Sequence, residues 1–260
     1  MRCREFWILA SVLTSLIFSI LLLTAGSDGM LNDVTLATLT YNTNMSVTNL
    51  PYTVNAPYRN ALWWLFSAHY LSLCGGYAGG AAVPDYVLVG CTSKPLGWTV
   101  RGDDPFIVGF HAVNGSSIMK GGPFVATDFS TAKPAGLLVA GMAVTVLAAG
   151  GLLAGAFSAV GQGGRRQPRL RDWGVAGLIA LATTFLIASA AIATPIAKRY
   201  AVTEGGRNDA FVPSPTSNFL GLSWGAVGFM LVALGGEMAK VVRAGKKRRM
   251  ALRDQGRSRS

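Results

Sequence analysis

Four apolar stretches place the strongest limit on what this chain can fold into. They run over residues 6–25, 136–160, 175–197 and 219–236. None of them contains Asp, Glu, Lys or Arg, and each is close to the ~20 residues that carry a helix across a ~30 Å hydrocarbon layer. Because backbone groups in lipid must pair within their own segment, these stretches predict four transmembrane helices. The charged content of 13% agrees with this, since an average soluble domain has about 25%.

The net charge of +11 is distributed unevenly between the two predicted sides of the membrane. If the amino terminus is cytosolic, residues 1–5, 161–174 and 237–260 share the cytosolic side and hold the whole positive excess. The other side holds residues 26–135 and 198–218, which together are neutral. Cytosolic segments retain Lys and Arg, so the distribution predicts that both termini are cytosolic. It also removes the main argument for a nucleic-acid partner, because topology alone accounts for the charge.

The first apolar stretch has a second interpretation as a secretory signal peptide. Thr24-Ala25-Gly26 places small residues where a signal peptidase cuts. The apolar run is longer than the ~7 to 15 residues of a usual signal core, which favours an uncleaved span. In both cases the segment that follows lies outside the cytosol.

Residues 26–135 are too long for a connector and predict a small folded unit on the outer side. Short β-favouring runs at 87–89, 98–100 and 106–108 predict an antiparallel sheet, and residues 35–54 suit an exposed strand or an irregular arm. The predicted fold is therefore an all-α transmembrane four-helix bundle with a small β-containing extracellular loop domain.

Three kinds of covalent modification are predicted. Cys74 and Cys91 lie in the exported segment, where the compartment is oxidising, and we expect a disulfide worth about 3 kcal/mol rather than two free thiols. Asn44 and Asn114 begin glycosylation acceptor tripeptides in the same segment. Cys3 lies beside the first span in a setting that permits S-palmitoylation, with an unmodified cytosolic thiol as the alternative.

The outer segment also carries a composite motif: FSAHYLSLCGGY at 66–77, CTSKP at 91–95 and DDPF at 103–106. This pattern resembles the exported loop of the fungal Sur-seven/PalI family, whose members are claudin-like, with four spans and two cysteines in a large first outer loop. The resemblance implies a plasma-membrane protein that organises a cortical domain such as an eisosome-like patch, with links to endocytosis and cell-wall deposition. The PalI branch implies instead an accessory of ambient-pH signalling. That branch carries a long hydrophilic tail, and the short tail after Lys240 favours the organiser.

Catalytic patterns are not found in the sequence. The chain has two histidines, His69 and His111, and no clustered metal ligands, phosphate loop or nucleophile motif. We therefore expect no enzyme activity, no cofactor and no metal, and we expect His69 to be a hydrogen-bonded structural residue beside the disulfide. A channel or carrier is the alternative from another class, disfavoured because the predicted spans contain no ionisable residues.

Small residues in the spans predict close helix packing, and through it a homo-oligomer or hetero-oligomer with other membrane proteins. Two Gly-x-x-x-Gly pairs carry this prediction: Gly151, Gly155, Gly221 and Gly225.

The basic tail is predicted to bind anionic lipids of the inner leaflet. Its densest cluster lies close to the last span: Lys246, Lys247, Arg248 and Arg249. The alternative is a solvated tail whose charge serves topology alone.

Overall fold

The computed structural model describes residues 3–27, 31, 34–41, 63–78, 86–100, 129–161, 169–202, 211–214 and 217–257. Its long helices are α1 (Cys3–Thr24), α2 (Ala132–Gly161), α3 (Arg169–Val202) and α4 (Ser217–Arg257). Each contains a span long and apolar enough to cross a membrane: Arg4–Thr24, Ala132–Gly155, Trp173–Ala197 and Asn218–Lys246. The four predicted apolar helices are confirmed.

Two helices continue beyond their predicted ends. The third passes through Pro195 and ends at Val202. Proline is tolerated inside transmembrane helices. The fourth does not end at Gly236 but continues to Arg257. Since Lys, Arg, Ala and Met are good helix formers, the basic tail extends the last span as regular helix.

The chain divides into two compact units. The helical unit comprises Met1–Ser19, Leu138–Ile187 and Trp224–Ser260, and the sheet unit comprises Ile20–Leu137 and Ala188–Ser223.

In the helical unit, α1 and α4 form one antiparallel pair. Ser15 Oγ donates a 2.8 Å hydrogen bond to the carbonyl oxygen of Ala226, and the rings of Phe18 and Phe229 meet edge to face at 5.6 Å. Nearer the start of α1, the Arg4 guanidinium donates to the carbonyl oxygen of Gly236. These contacts fix the register of the two helices, because each joins a side chain to one position of the partner.

The second antiparallel pair in the helical unit is α2 with α3, and glycines set its spacing. A Cβ added at Gly141 would lie 3.0 Å from Leu186 Cδ2, and one added at Gly151 would lie 3.0 Å from Val175 Cγ2. With no hydrophobic drive between helices in lipid, such close approach is what lets dispersion hold the pair.

The sheet unit contains a five-stranded antiparallel sheet in the order β4-β3-β2-β1-β7. Its strands are β1 (Ala37–Tyr41), β2 (Trp63–Ala68), β3 (Ser72–Ala78), β4 (Tyr86–Ser93) and β7 (Phe211–Ser214). A separate two-stranded ladder pairs β5 (Thr99–Val100) with β6 (Phe129–Ser130).

The predicted β content is confirmed in part. The run at 87–89 lies in β4, the run at 98–100 contributes β5, and β1 falls within 35–54, whereas 106–108 lies outside the described residues. The segment 198–218, predicted only as a loop, contributes β7, which pairs with β1.

Candidate functional site

His69 is the centre of a buried polar cluster in the sheet unit. It follows the end of β2 and begins the tight turn into β3, in which its backbone N–H donates a 2.9 Å hydrogen bond to the Ser72 carbonyl oxygen. The residue is 1% exposed. Its Nδ1 lies 3.1 Å from the Val34 carbonyl oxygen and its Nε2 lies 3.2 Å from Ser67 Oγ. Because a carbonyl oxygen only accepts, Nδ1 carries the ring proton and Nε2 accepts from the serine.

Burial controls the chemistry of this ring. It lowers the pKa of His69 from 6.5 to about 4, and the hydrogen bond to Val34 offsets only part of that effect. Beside it, burial raises the pKa of the Tyr70 hydroxyl, while a hydrogen bond with Ser189 works in the opposite direction. A neutral, buried imidazole with both nitrogens hydrogen-bonded is held in one orientation. The expectation of a hydrogen-bonded His69 beside the disulfide is confirmed.

The disulfide joins directly opposed residues of β3 and β4. Cys74 and Cys91 are register partners, with an S–S distance of 2.10 Å. Cys74 is fully buried, and its Sγ lies 3.4 Å from the Gly26 carbonyl oxygen. The predicted pairing is therefore confirmed, and it ties the core of the sheet to the backbone that follows α1.

Gly26 is required at that position by its conformation and its surroundings. Its φ is +76°, which residues with a Cβ rarely adopt. A Cβ here would lie 2.3 Å from His69 Cδ2 and 2.5 Å from Ser72 Oγ. The Ser72 hydroxyl is itself buried, with no hydrogen-bond partner among the described residues. The backbone after α1 thus packs directly onto the histidine.

Trp98 also belongs to the buried cluster around His69. Trp98 Nε1 donates to the carbonyl oxygens of His69 and Tyr70, at 3.2 and 3.1 Å. The Lys94 ammonium lies 5.5 Å from the centre of the Trp98 ring, within the range of a cation–π contact. These bonds hold the carbonyl oxygens of the turn that carries the histidine.

A second polar cluster lies in the helical unit, on α4. Glu237 is 2% exposed, and its Oε1 accepts a 2.6 Å hydrogen bond from Lys240 Nζ. Glu237 directly follows the last predicted apolar stretch, and its carboxylate is buried rather than exposed. Lys240, three residues on, lies on the same helix face and neutralises the buried carboxylate. In the sequence, this ion pair is indicated by an acidic residue at the end of an apolar run with a lysine at i+3.

The glycines predicted to pack between helices differ in whether an added Cβ would meet a neighbouring side chain. A Cβ at Gly225 would lie 2.9 Å from the Phe18 ring, so Gly225 and Gly151 meet neighbouring side chains as predicted. Gly221 is exposed, and a Cβ there meets nothing within 4 Å among the described residues, so its packing role stays a prediction. Gly155 is half-buried near the end of α2. The sequence missed Gly236, where a Cβ would lie 2.7 Å from Ile8 Cγ1.

The remaining predicted sites occupy other parts of the chain. Lys246 is exposed, and Lys247, Arg248 and Arg249 follow it within α4. Cys3 is the first residue of α1. Asn44 and Asn114 lie outside the described residues. Within the described residues, no group of three or more His, Cys, Asp or Glu is arranged to hold a metal ion.

No protein-family model matches the chain, and no curated protein is significantly similar to it.

Proposed function

We propose that this protein is a multi-pass plasma-membrane protein, without enzymatic activity, that organises a domain of the cell cortex through lateral helix packing and lipid contact. Helix α4 carries the proposal, since it is a single helix that contains a membrane-length apolar span and then continues as a basic helix. Such a helix anchors the chain in the bilayer and presents a cationic surface beside it. An organiser needs both properties, because it acts by holding lipids and neighbouring proteins together.

Lipid contact in this proposal falls first to the cations closest to the apolar span. Arg243 and Lys246 are exposed on α4, about one and two turns beyond the buried Glu237–Lys240 pair. Near an anionic leaflet each basic side chain contributes roughly 1 kcal/mol. The resemblance to the Sur-seven/PalI family supports the same role and suggests that the basic end is cytosolic.

Retention of α1 is part of the proposal. Ala25 is 1% exposed and Gly26 lies against His69, so the small residues of the possible cleavage site are built into the sheet unit. In the helical unit α1 contacts α4 through Ser15 and Phe18. A cleaved signal peptide would forfeit both sets of contacts.

Imaging of a carboxyl-terminally tagged copy tests the organiser. We expect stable cortical patches that recover slowly after photobleaching, because lateral association restricts diffusion. Uniform internal staining would contradict the proposal, as would digestion of the tail by a protease added only to the outer face of intact cells.

Two specific observations favour other functions. The buried His69, with a pKa lowered to about 4, favours an accessory of ambient-pH signalling, and acid-dependent recruitment of signalling proteins would support that function. Glu237, an ionisable residue buried within a candidate span, favours a channel or carrier. Ion flux through vesicles holding the purified protein, lost in Glu237→Gln, would support a channel or carrier.

A further inference from the structure

Helix α4 is much longer than a membrane crossing requires. Its 41 residues measure ~61 Å at ~1.5 Å per residue. A ~30 Å hydrocarbon layer uses about 20 of them. The sequence from Ser217 to Arg257 contains no proline, and the helix runs unbroken over this range.

The contact between α1 and α4 sets the level at which the hydrocarbon ends. Arg4 is the first residue of the α1 span, and its guanidinium donates to the Gly236 carbonyl oxygen. From Gly236 the helix continues ~30 Å to Arg257, and a usual tilt of about 20° shortens that height only slightly.

The height measured from Gly236 exceeds the reach of the leaflet's charge. The headgroup layer adds only about 5 to 8 Å to the hydrocarbon on each side, and the Debye length is ~8 Å at physiological ionic strength. Arg243 lies within that range, whereas Arg253 and Arg257 lie about two Debye lengths or more beyond the headgroups. The far end of α4 is therefore out of reach of the leaflet while the helix stays unbroken.

The far end of α4 nevertheless has a charged face. The basic positions 246, 249, 253 and 257 recur every three or four residues, which places them on one side of the helix. Two exposed apolar residues share that side, Val242 at 64% and Met250 at 51% exposure. We call this side the basic face: Val242, Lys246, Arg249, Met250, Arg253 and Arg257.

We infer that the basic face docks an acidic, amphipathic segment of a partner protein. The complementary charge is acidic because four of its six positions are basic, and the net charge of the surrounding stretch is strongly positive. The apolar positions favour a protein over a nucleic acid, since a phosphate backbone offers Val242 and Met250 no counterpart. The inference rests on α4 as a membrane-crossing helix and not on patch organisation or orientation.

The test uses the full chain in nanodiscs, where both faces of the bilayer are accessible. The probe is a fluorescently labelled, acidic amphipathic helix of glutamate and leucine, and the bilayer is phosphatidylcholine alone. We expect the wild type to bind the peptide and the pair Arg253→Gln with Arg257→Gln to bind it roughly fivefold to tenfold more weakly, as loss of two surface ion pairs implies. The matched control is Lys247→Gln with Arg248→Gln, which removes the same charge from other sides of the helix and should change affinity less than about twofold.

A second measurement distinguishes binding to a partner protein from contact with the leaflet. With Arg257→Cys labelled in a Cys3→Ser background, we expect no quenching by headgroup quenchers in nanodiscs that contain phosphatidylserine. Adding Gly245→Pro should kink the helix and bring the label into quenching range, because proline interrupts a helix and Gly245 has open space around it.

Four results would overturn the inference. They are undetectable peptide binding by the wild type, equal losses in the two charge pairs, quenching of the label in the unkinked helix, and tighter binding of a single-stranded RNA than of the peptide. Loss of cortical patches in cells, with peptide binding intact, would count against the organiser and leave the inference standing.

Discussion

The sheet unit and the helical unit are stabilised by different kinds of interaction. The sheet unit is held by a disulfide, a buried histidine and a glycine at positive φ, which are strong contacts at few positions. The helical unit is held by close approach at Gly141, Gly225 and Gly236 and by side-chain bonds to helix carbonyl oxygens. Covalent and polar constraints stabilise the sheet, whereas helices that pack in lipid gain mainly from dispersion. Substitutions in the sheet unit should therefore cost more per residue.

The largest expected effect is loss of the disulfide. Replacing Cys74 and Cys91 by serine should destabilise the sheet unit by about 3 to 5 kcal/mol, because the reduced chain regains loop entropy and a polar group replaces a buried sulfur. Chemical unfolding in detergent, followed by the tryptophan fluorescence to which the buried Trp98 contributes, measures this. Cys3→Ser is the control and should leave the midpoint unchanged. An unchanged midpoint in the double variant would show that the strand pairing holds the unit without the bond.

Acid should weaken the sheet unit through His69. The pKa is about 4 in the folded protein and 6.5 as the reference for the unfolded chain, so the neutral ring favours folding. Stability is complete above pH 6.5, falls as the pH drops towards 4 and levels off below it, by about 3 kcal/mol in total. His69→Asn keeps a donor near the Val34 carbonyl oxygen but does not titrate. Its unfolding free energy should lose that slope between pH 6.5 and 4, and an unaltered slope would assign the pH dependence to other groups.

The sequence predicts most of the architecture and less of the contacts. Four runs without charge are enough to predict the helices, and two cysteines in a segment predicted to lie outside the cytosol are enough to predict their bond. A local motif does not determine which side of a helix faces its neighbour. Gly221 and Gly225 belong to one Gly-x-x-x-Gly pair, yet Phe18 lies against Gly225 and Gly221 is open. β7 was missed for the same reason, because four residues become a strand only when β1 is there to pair with them.

Glycine substitutions test how closely α1 and α4 pack in the helical unit. Gly236→Val should destabilise the α1–α4 pair by about 1 to 3 kcal/mol, since a Cβ would meet Ile8 at 2.7 Å and overpacking costs that much. Gly235→Val is the matched control, because a Cβ at Gly235 meets nothing within 4 Å in the part of the chain that the structure describes. The two variants add the same β-branched side chain to adjacent positions. Thermal unfolding in detergent should separate them by several degrees, and equal midpoints would argue against close packing of α1 on α4.

The smallest effect is expected from the hydrogen bond between the same helices. Ser15→Ala removes the 2.8 Å bond to the Ala226 carbonyl oxygen, at a cost of about 0.6 kcal/mol, because that oxygen keeps its bond within α4 and such bonds in membranes are modest. Thr14→Ala is the control, since its hydroxyl bonds to Ala10 of its own helix. A loss above about 2 kcal/mol for Ser15→Ala alone would mean that polar contacts, and not dispersion, hold α1 to α4. The two units would then be stabilised by the same kind of interaction, and the contrast between them would rest on the disulfide alone.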